Sequence, residues 1–141
     1  MINTGLFTSN TPEWETPQDF FDKLNKEFNF TLDVCATKEN AKCFFFFTRE
    51  DDGLSFNWGG HKCWCNPPYG REISKWVEKA SKSDFCVMLL PARTDTRWFW
   101  NYIYENSHAE IRFIKGRLKF GGSKNSAPFP SMVVVFDNLT K

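Results

Sequence analysis

The chain has 141 residues, enough for one domain with a single buried core. Hydrophobic residues make up 41 %, aromatics 18 % and charged residues 25 %, a balance that excludes intrinsic disorder. A formal net charge of +1 excludes a globally basic nucleic-acid binder, so any basic surface must be local.

Residues 1–15 read as an extended arm rich in turn residues, with no basic segment leading into a long apolar one, so no signal peptide is expected. "TPQDFFDKLNKEF" (16–28) predicts a helix capped by Thr16, with Pro17 in its first turn and Phe20, Phe21, Leu24 and Phe28 on one face. "FTLDVCA" predicts a short buried strand ending near Asp33, then a short helix from about Lys38 and a strand at "CFFFF" (43–47). "HKCWC" is a strand stopped by Pro67 and Pro68, and "REISKWVEKASK" is a helix with Ile73, Trp76, Val77 and Ala80 facing inward. "DFCVMLLP" has the near-continuous apolar character of a strand buried on both faces. A helix over "TDTRWFWNYIYENS" and two strands, "EIRFIKGRLKF" and "PSMVVVF", complete the chain. Alternating strands and helices with a closing strand pair predict a three-layer α/β fold, one domain over residues 1–141. No run approaches the length of a membrane span.

In such a sheet ligands gather at the carboxyl ends of the strands. That edge receives Asp33, the Asn66–Tyr69 loop and the Pro91–Arg93 loop. Asp33 and Asp52 each have a plainer reading, as a turn cap and as part of an Asp-Gly surface turn, but together they supply carboxylates at successive strand ends. The loop "NPPY" joins a rigid backbone to one amide that both donates and accepts and to one aromatic face. It suits a clamp on a planar polar group. Five cysteines, an odd number, argue against a closed disulfide framework, and a reducing cytoplasm fits best. His61, Cys63 and Cys65 alternate along a strand without converging, so no metal site is expected.

"NPPYG" is similar to the catalytic tetrapeptide of amino-methyltransferases. With "EWETPQDFF", "LDVCAT", "DDGL", "LLPARTDTRWF", "IKGRLKF" and "APFPSMVVVF" in this order, the chain resembles phage-type, Dam-like DNA adenine-N6 methyltransferases over about residues 12–136. The resemblance implies a Rossmann-like fold with a mostly parallel sheet and an antiparallel closing strand. It also implies S-adenosylmethionine as methyl donor, adenine in DNA as substrate, and no separate target-recognition domain. Asn66, Pro67, Pro68 and Tyr69 then match the catalytic loop. Trp14, Thr16 and Pro17 match the segment over the cofactor's methionine end, Asp33 the acid after the first strand, and Cys35 and Ala36 the close turn. Asp52 matches the reader of the cofactor's adenine, and Asn66 borders the same ligand. A glycine-rich first loop is lacking, and no clear acid ends "CFFFF" to bind ribose, a place left to Glu39 or Asn40.

Two acceptors on the adenine amine, Asn66 Oδ1 and the Pro67 carbonyl, would free its lone pair, while Tyr69 stacks on an extruded base opposite Phe120. Arg93, Arg97, Lys115, Arg117, Lys119 and Lys124 gather in the second half as candidate DNA contacts, with Arg93 and Arg117 foremost; the bland alternative is solvated surface charge. Target preference is left to loops such as 48–60 and 120–128. Cytosine C5 methylation is disfavoured because Cys63 and Cys65 lie inside a strand. The competing readings are a catalytically silent nucleic-acid module, or methylation of RNA adenine or a protein side-chain amide. The resemblance suggests protection of phage DNA from restriction, in the bacterial host cytoplasm.

Overall fold

The computed structural model describes residues 14–121 and 125–140. Six strands form one sheet in the order β2-β1-β3-β4-β6-β5. They are β1 Leu32–Ala36, β2 Phe45–Thr48, β3 Cys63–Cys65, β4 Phe85–Pro91, β5 Ala109–Phe113 and β6 Ser131–Asp137. The first four are mutually parallel, and β6 runs antiparallel to both β4 and β5. The expected mostly parallel sheet with an antiparallel closing strand is present. All seven residues of β4 are buried, as its unbroken apolar run requires.

Alternation of side chains along the strands divides the core into two layers. On one face, helix α1 (Gln18–Phe28) packs on the sheet, with Phe21 5.3 Å from Trp64 and Phe28 5.6 Å from Phe85 between ring centroids. On the other, Cys63 Sγ meets the Trp58 carbonyl, and Trp58 stacks on Trp76 of helix α2 (Ile73–Lys82). A π-helical turn, Phe99–Ile103, packs beside α2 and completes that layer. Three layers follow.

The boundaries differ where polar groups find other partners. Helix α1 starts at Gln18 with no side-chain cap, because the cap position falls on Pro17, which has no side-chain acceptor; the Thr16 hydroxyl, one place earlier, accepts from Asn66. It ends at Asn29 in a left-handed cap, φ 58°. The segment from Lys38 is a turn rather than a helix: Asn40 Oδ1 accepts from the Thr37 N–H and the Thr37 hydroxyl accepts from the Asn40 N–H. Strand β1 continues to Ala36, past Asp33, and β2 begins at Phe45 rather than residue 43. The helix expected over 94–107 is only one wide turn after Arg97: the Tyr104 N–H reaches back five residues to Phe99, and Glu105 leaves with φ 63°. Strand β5 stops at Phe113, and Gly116 turns the chain with φ 78°.

A single 3₁₀ turn, Gly53–Ser55, lies against β1. A Cβ on Gly53 would sit 2.2 Å from the Val34 carbonyl oxygen, so only glycine allows this approach. Gly53→Ala is expected to lower stability by about 1–3 kcal/mol through backbone overpacking. Urea denaturation checks this, and an unchanged midpoint would show that the turn moves away freely.

Candidate active site

Strand β3 ends at Cys65, and Pro67 and Pro68 prevent the ladder from continuing. The Asn66 side chain is fixed from behind: Nδ2 donates to the Trp14 carbonyl at 2.5 Å and to Thr16 Oγ1 at 3.0 Å. A carbonyl can only accept, so the amide nitrogen must face Trp14 and Oδ1 must face the other way. Oδ1 is buried without a hydrogen-bond partner among the described residues. Buried acceptors are seldom left in this condition.

Tyr69 is buried, and its hydroxyl donates to the Leu89 carbonyl at 2.9 Å. Burial pushes the phenol well above its ordinary pKa, so it stays protonated. Only the ring is available for recognition. Around it stand Phe129 at 5.7 Å and Phe120 at 6.3 Å, both edge-on, while Trp14 lies 5.4 Å from Phe120 and 5.3 Å from Phe129. Phe120 does meet Tyr69 as expected, but edge to face rather than as the far wall of an open slot. These rings fill the space beside the loop. A bridge between Glu15 and Gly121 holds Trp14 and Phe120 together. The place of Phe129 was not foreseen; its position in "APFPSM", just before the closing strand, is the only cue the chain offers.

Asp33 requires a correction. It lies inside β1, 2 % exposed, and not at the strand's end. Its Oδ1 accepts from the Cys35 N–H at 3.2 Å and its Oδ2 from the Lys42 N–H at 3.0 Å. Oδ2 thus ties the loop after β1 to the sheet, while Oδ1 stays within the strand. Burial raises its pKa to about 7, against the pull of those two donors.

The register Leu32↔Cys63 and Asp33↔Trp64, carried two places on, sets Cys35 beside Asn66, with Ala36 ending the strand. Strand β2 ends at Thr48, and Glu50, Asp51 and Asp52 follow directly. The acids expected to be missing from that strand's end are therefore present. Asp51 Oδ2 is used by the Thr48 N–H and hydroxyl, whereas Asp52 is exposed in a left-handed conformation, φ 58°. Glu39 is exposed, and Asn40 is spent on the Thr37 turn.

Arg93, Arg97, Lys115, Arg117 and Lys119 are all exposed, and Arg117 Nη1 donates to the Ala127 carbonyl at 3.4 Å. Lys124 lies outside the described residues, as do residues 1–13 of the arm. None of the five cysteines forms a disulfide. Burial pushes Cys63 up to about 12 and Cys65 well above its ordinary value, and the strand's alternation turns both away from the face that carries Asn66. Neither is placed to attack a base there. Among the described residues, no three His, Cys, Asp or Glu side chains gather as metal ligands, and no helix is long and apolar enough to cross a membrane.

A mostly parallel three-layer sheet with a proline-stiffened amide loop at the carboxyl end of a central strand defines a Rossmann-like methyltransferase. The family model for DNA N-6-adenine-methyltransferase (Dam) matches residues 4–141, and the chain belongs to that family. It is 31 % identical over 148 residues to the DNA N-6-adenine-methyltransferase of Haemophilus phage HP1, covering 97 % of this chain and 85 % of that one. It is 35 % identical over 120 residues to the enzyme of the same name from Escherichia phage T1, covering 78 % of this chain and 50 % of that one. Among solved structures, a Pyrococcus horikoshii protein assigned as an RNA methyltransferase is similar, with 16 % identity and a TM-score of 0.46, over 86 % of this chain and 59 % of that one.

Asp33 yields a pH prediction. Its carboxyl binds a proton more tightly in the folded chain, pKa about 7, than at the ordinary value of 3.8. Its contribution to stability is therefore full below 3.8 and is lost as pH rises towards about 7. Asp33→Asn, which carries no charge, should remove that slope. Urea midpoints measured across this window check it, and identical slopes in both proteins would contradict the assignment.

Proposed function

We propose that the chain transfers a methyl group from S-adenosylmethionine to the N6 amine of adenine in DNA, with the base turned out of the duplex. The observation that carries this reading is Asn66 Oδ1, an acceptor that is buried, without a partner among the described residues, and held in one direction by its own amide nitrogen. An exocyclic adenine amine is a poor nucleophile because its lone pair is delocalised into the ring. Asn66 Oδ1 and the Pro67 carbonyl each accept one of its N–H bonds, which favours the pyramidal nitrogen that attack requires. A fixed acceptor contributes more to the transition state than one that must reorient.

The residues present fit the methyl donor. Exposed Asp52 at the end of β2, the backbone at Cys35 and Ala36, and the Asn66 loop converge on one edge, where an α/β sheet binds nucleotides. Trp14, Thr16 and Pro17 border the same edge and orient Asn66. Asp33 acts through the 35–42 loop, which it holds, rather than by direct contact. When bound, the cofactor supplies a methyl group on a sulfonium, electrophilic enough to need no covalent enzyme intermediate.

Tyr69 and Phe120 then flank the base, which enters by displacing the ring contacts that now close the site. Arg93 and Arg117 contact DNA phosphates. Every described element belongs to one sheet or packs on it, which supports reading residues 1–141 as one methyltransferase domain. The phage relatives and the lack of disulfides among the five cysteines support action in the bacterial host cytoplasm.

Asn66→Ala should lower single-turnover methylation by roughly a hundredfold or more while cofactor affinity changes little. Wild-type formation of N6-methyladenine by that variant, read by nucleoside analysis, would overturn the reading. Tyr69→Phe should keep most of the turnover and lose about 1 kcal/mol of stability, because its hydroxyl serves Leu89. Arg93→Ala and Arg117→Ala should each flatten the salt dependence of DNA affinity by about one unit of slope. An unchanged slope would return them to the solvated surface.

A further inference from the structure

Of the three buried side-chain atoms that lack a partner among the described residues, two share one face and one edge of the sheet. These are Asn66 Oδ1 and Ser131 Oγ; the third, Trp76 Nε1, belongs to helix α2 in the opposite layer. Their common face follows from the register. Trp64 pairs with Val87 and Val87 with Val135, while Leu89 pairs with Val133 and Pro91 with Ser131. Alternation sets Trp64, Asn66, Val133 and Ser131 on the same side. Contacts agree: Asn66 reaches Trp14 and Thr16 just before α1, and Arg112, the partner of Val133, reaches Glu27 on α1 at 2.7 Å.

The common edge follows from strand direction. Asn66 leaves β3 at its carboxyl end, and β6, running the other way, begins at Ser131. One strand, β4, separates β3 from β6, so the two lie about 10 Å apart across the sheet. Phe129, two residues before Ser131, is part of the ring cluster around Tyr69. A flat group that displaces Phe129 therefore enters between the two unpaired atoms.

We propose that the Ser131 hydroxyl is a base-reading group, donating to a ring nitrogen of the extruded adenine while Asn66 holds the amine at the other end. The chemistry is complementary: the ring nitrogens of adenine that are free in the flipped base are acceptors, and a serine hydroxyl is a donor. A hydroxyl 1 % exposed and unpaired destabilises the free protein, and a base would satisfy it on entry. A purine spans the interval between the two groups better than a pyrimidine does, so the pair favours adenine over cytosine.

This inference rests on the methylation reading, and the test separates them. Duplexes carrying the sequence methylated by the wild-type chain are made with 1-deaza-, 3-deaza- or 7-deazaadenine at the target, each removing one ring acceptor. The wild-type single-turnover efficiency should fall about tenfold for one of the three. Ser131→Ala should lose about tenfold on adenine, show no further loss on that analogue, keep cofactor affinity, and melt no lower than the wild type. A Ser131→Ala protein with the wild-type rate, with every analogue penalty intact, or with a lowered melting temperature overturns the inference while methylation stands. Failure of the wild-type chain to form N6-methyladenine in DNA removes both.

Discussion

The amide of Asn66 is anchored on one side only, and the rest of the site is arranged around that asymmetry. Its nitrogen is saturated by the Trp14 carbonyl and the Thr16 hydroxyl, which fixes its oxygen towards the ring cluster. Those two partners are themselves held by the docking of α1 on Trp64 and Phe30 and by the Glu15–Gly121 bridge. The aim of one side chain thus depends on contacts between the start of the described chain, the middle of the sheet and the segment before the closing strand. Rigidity from Pro67 and Pro68 would be of little use without that outer support.

Two polar side chains on the same face of neighbouring strands are treated in opposite ways. Asp33 receives backbone N–H groups on both oxygens, and its work is to shape the loop that follows β1. Asn66 has one end satisfied and the other left open. A buried acceptor without a partner costs roughly 1–3 kcal/mol, so its retention in a small domain with a net stability of the order of 5–15 kcal/mol is a sizeable sacrifice. Sites that bind a polar ligand are where such a sacrifice is maintained, because the ligand supplies the missing partner.

The aromatic cluster explains how the site avoids standing open. Trp14, Tyr69, Phe120 and Phe129 meet edge to face, a geometry favourable for each pair yet weak enough to be exchanged for stacking on a base. Tyr69 is the exception in mobility, since its hydroxyl is tied to Leu89. On the proposed reading it forms the fixed wall, and Phe129 is the ring that gives way.

The order of strands, the apolar run of β4, the helix with Trp76 and Val77 inward, and the NPPY stop were legible in the sequence, because each is set by local chemistry: side-chain period, proline geometry and turn residues. The motif order also identified the family. The sequence did not reveal that Thr16 serves Asn66 instead of capping its helix, or that Asp33 is buried inside its strand and bonded to the loop. It also did not reveal that Asp52 is exposed beside an occupied Asp51, or that Phe129 packs against Tyr69. Each of these depends on which donor meets which acceptor across tens of residues. Such pairings are settled only when α1, β3 and β6 are packed on one another, and no local propensity records them.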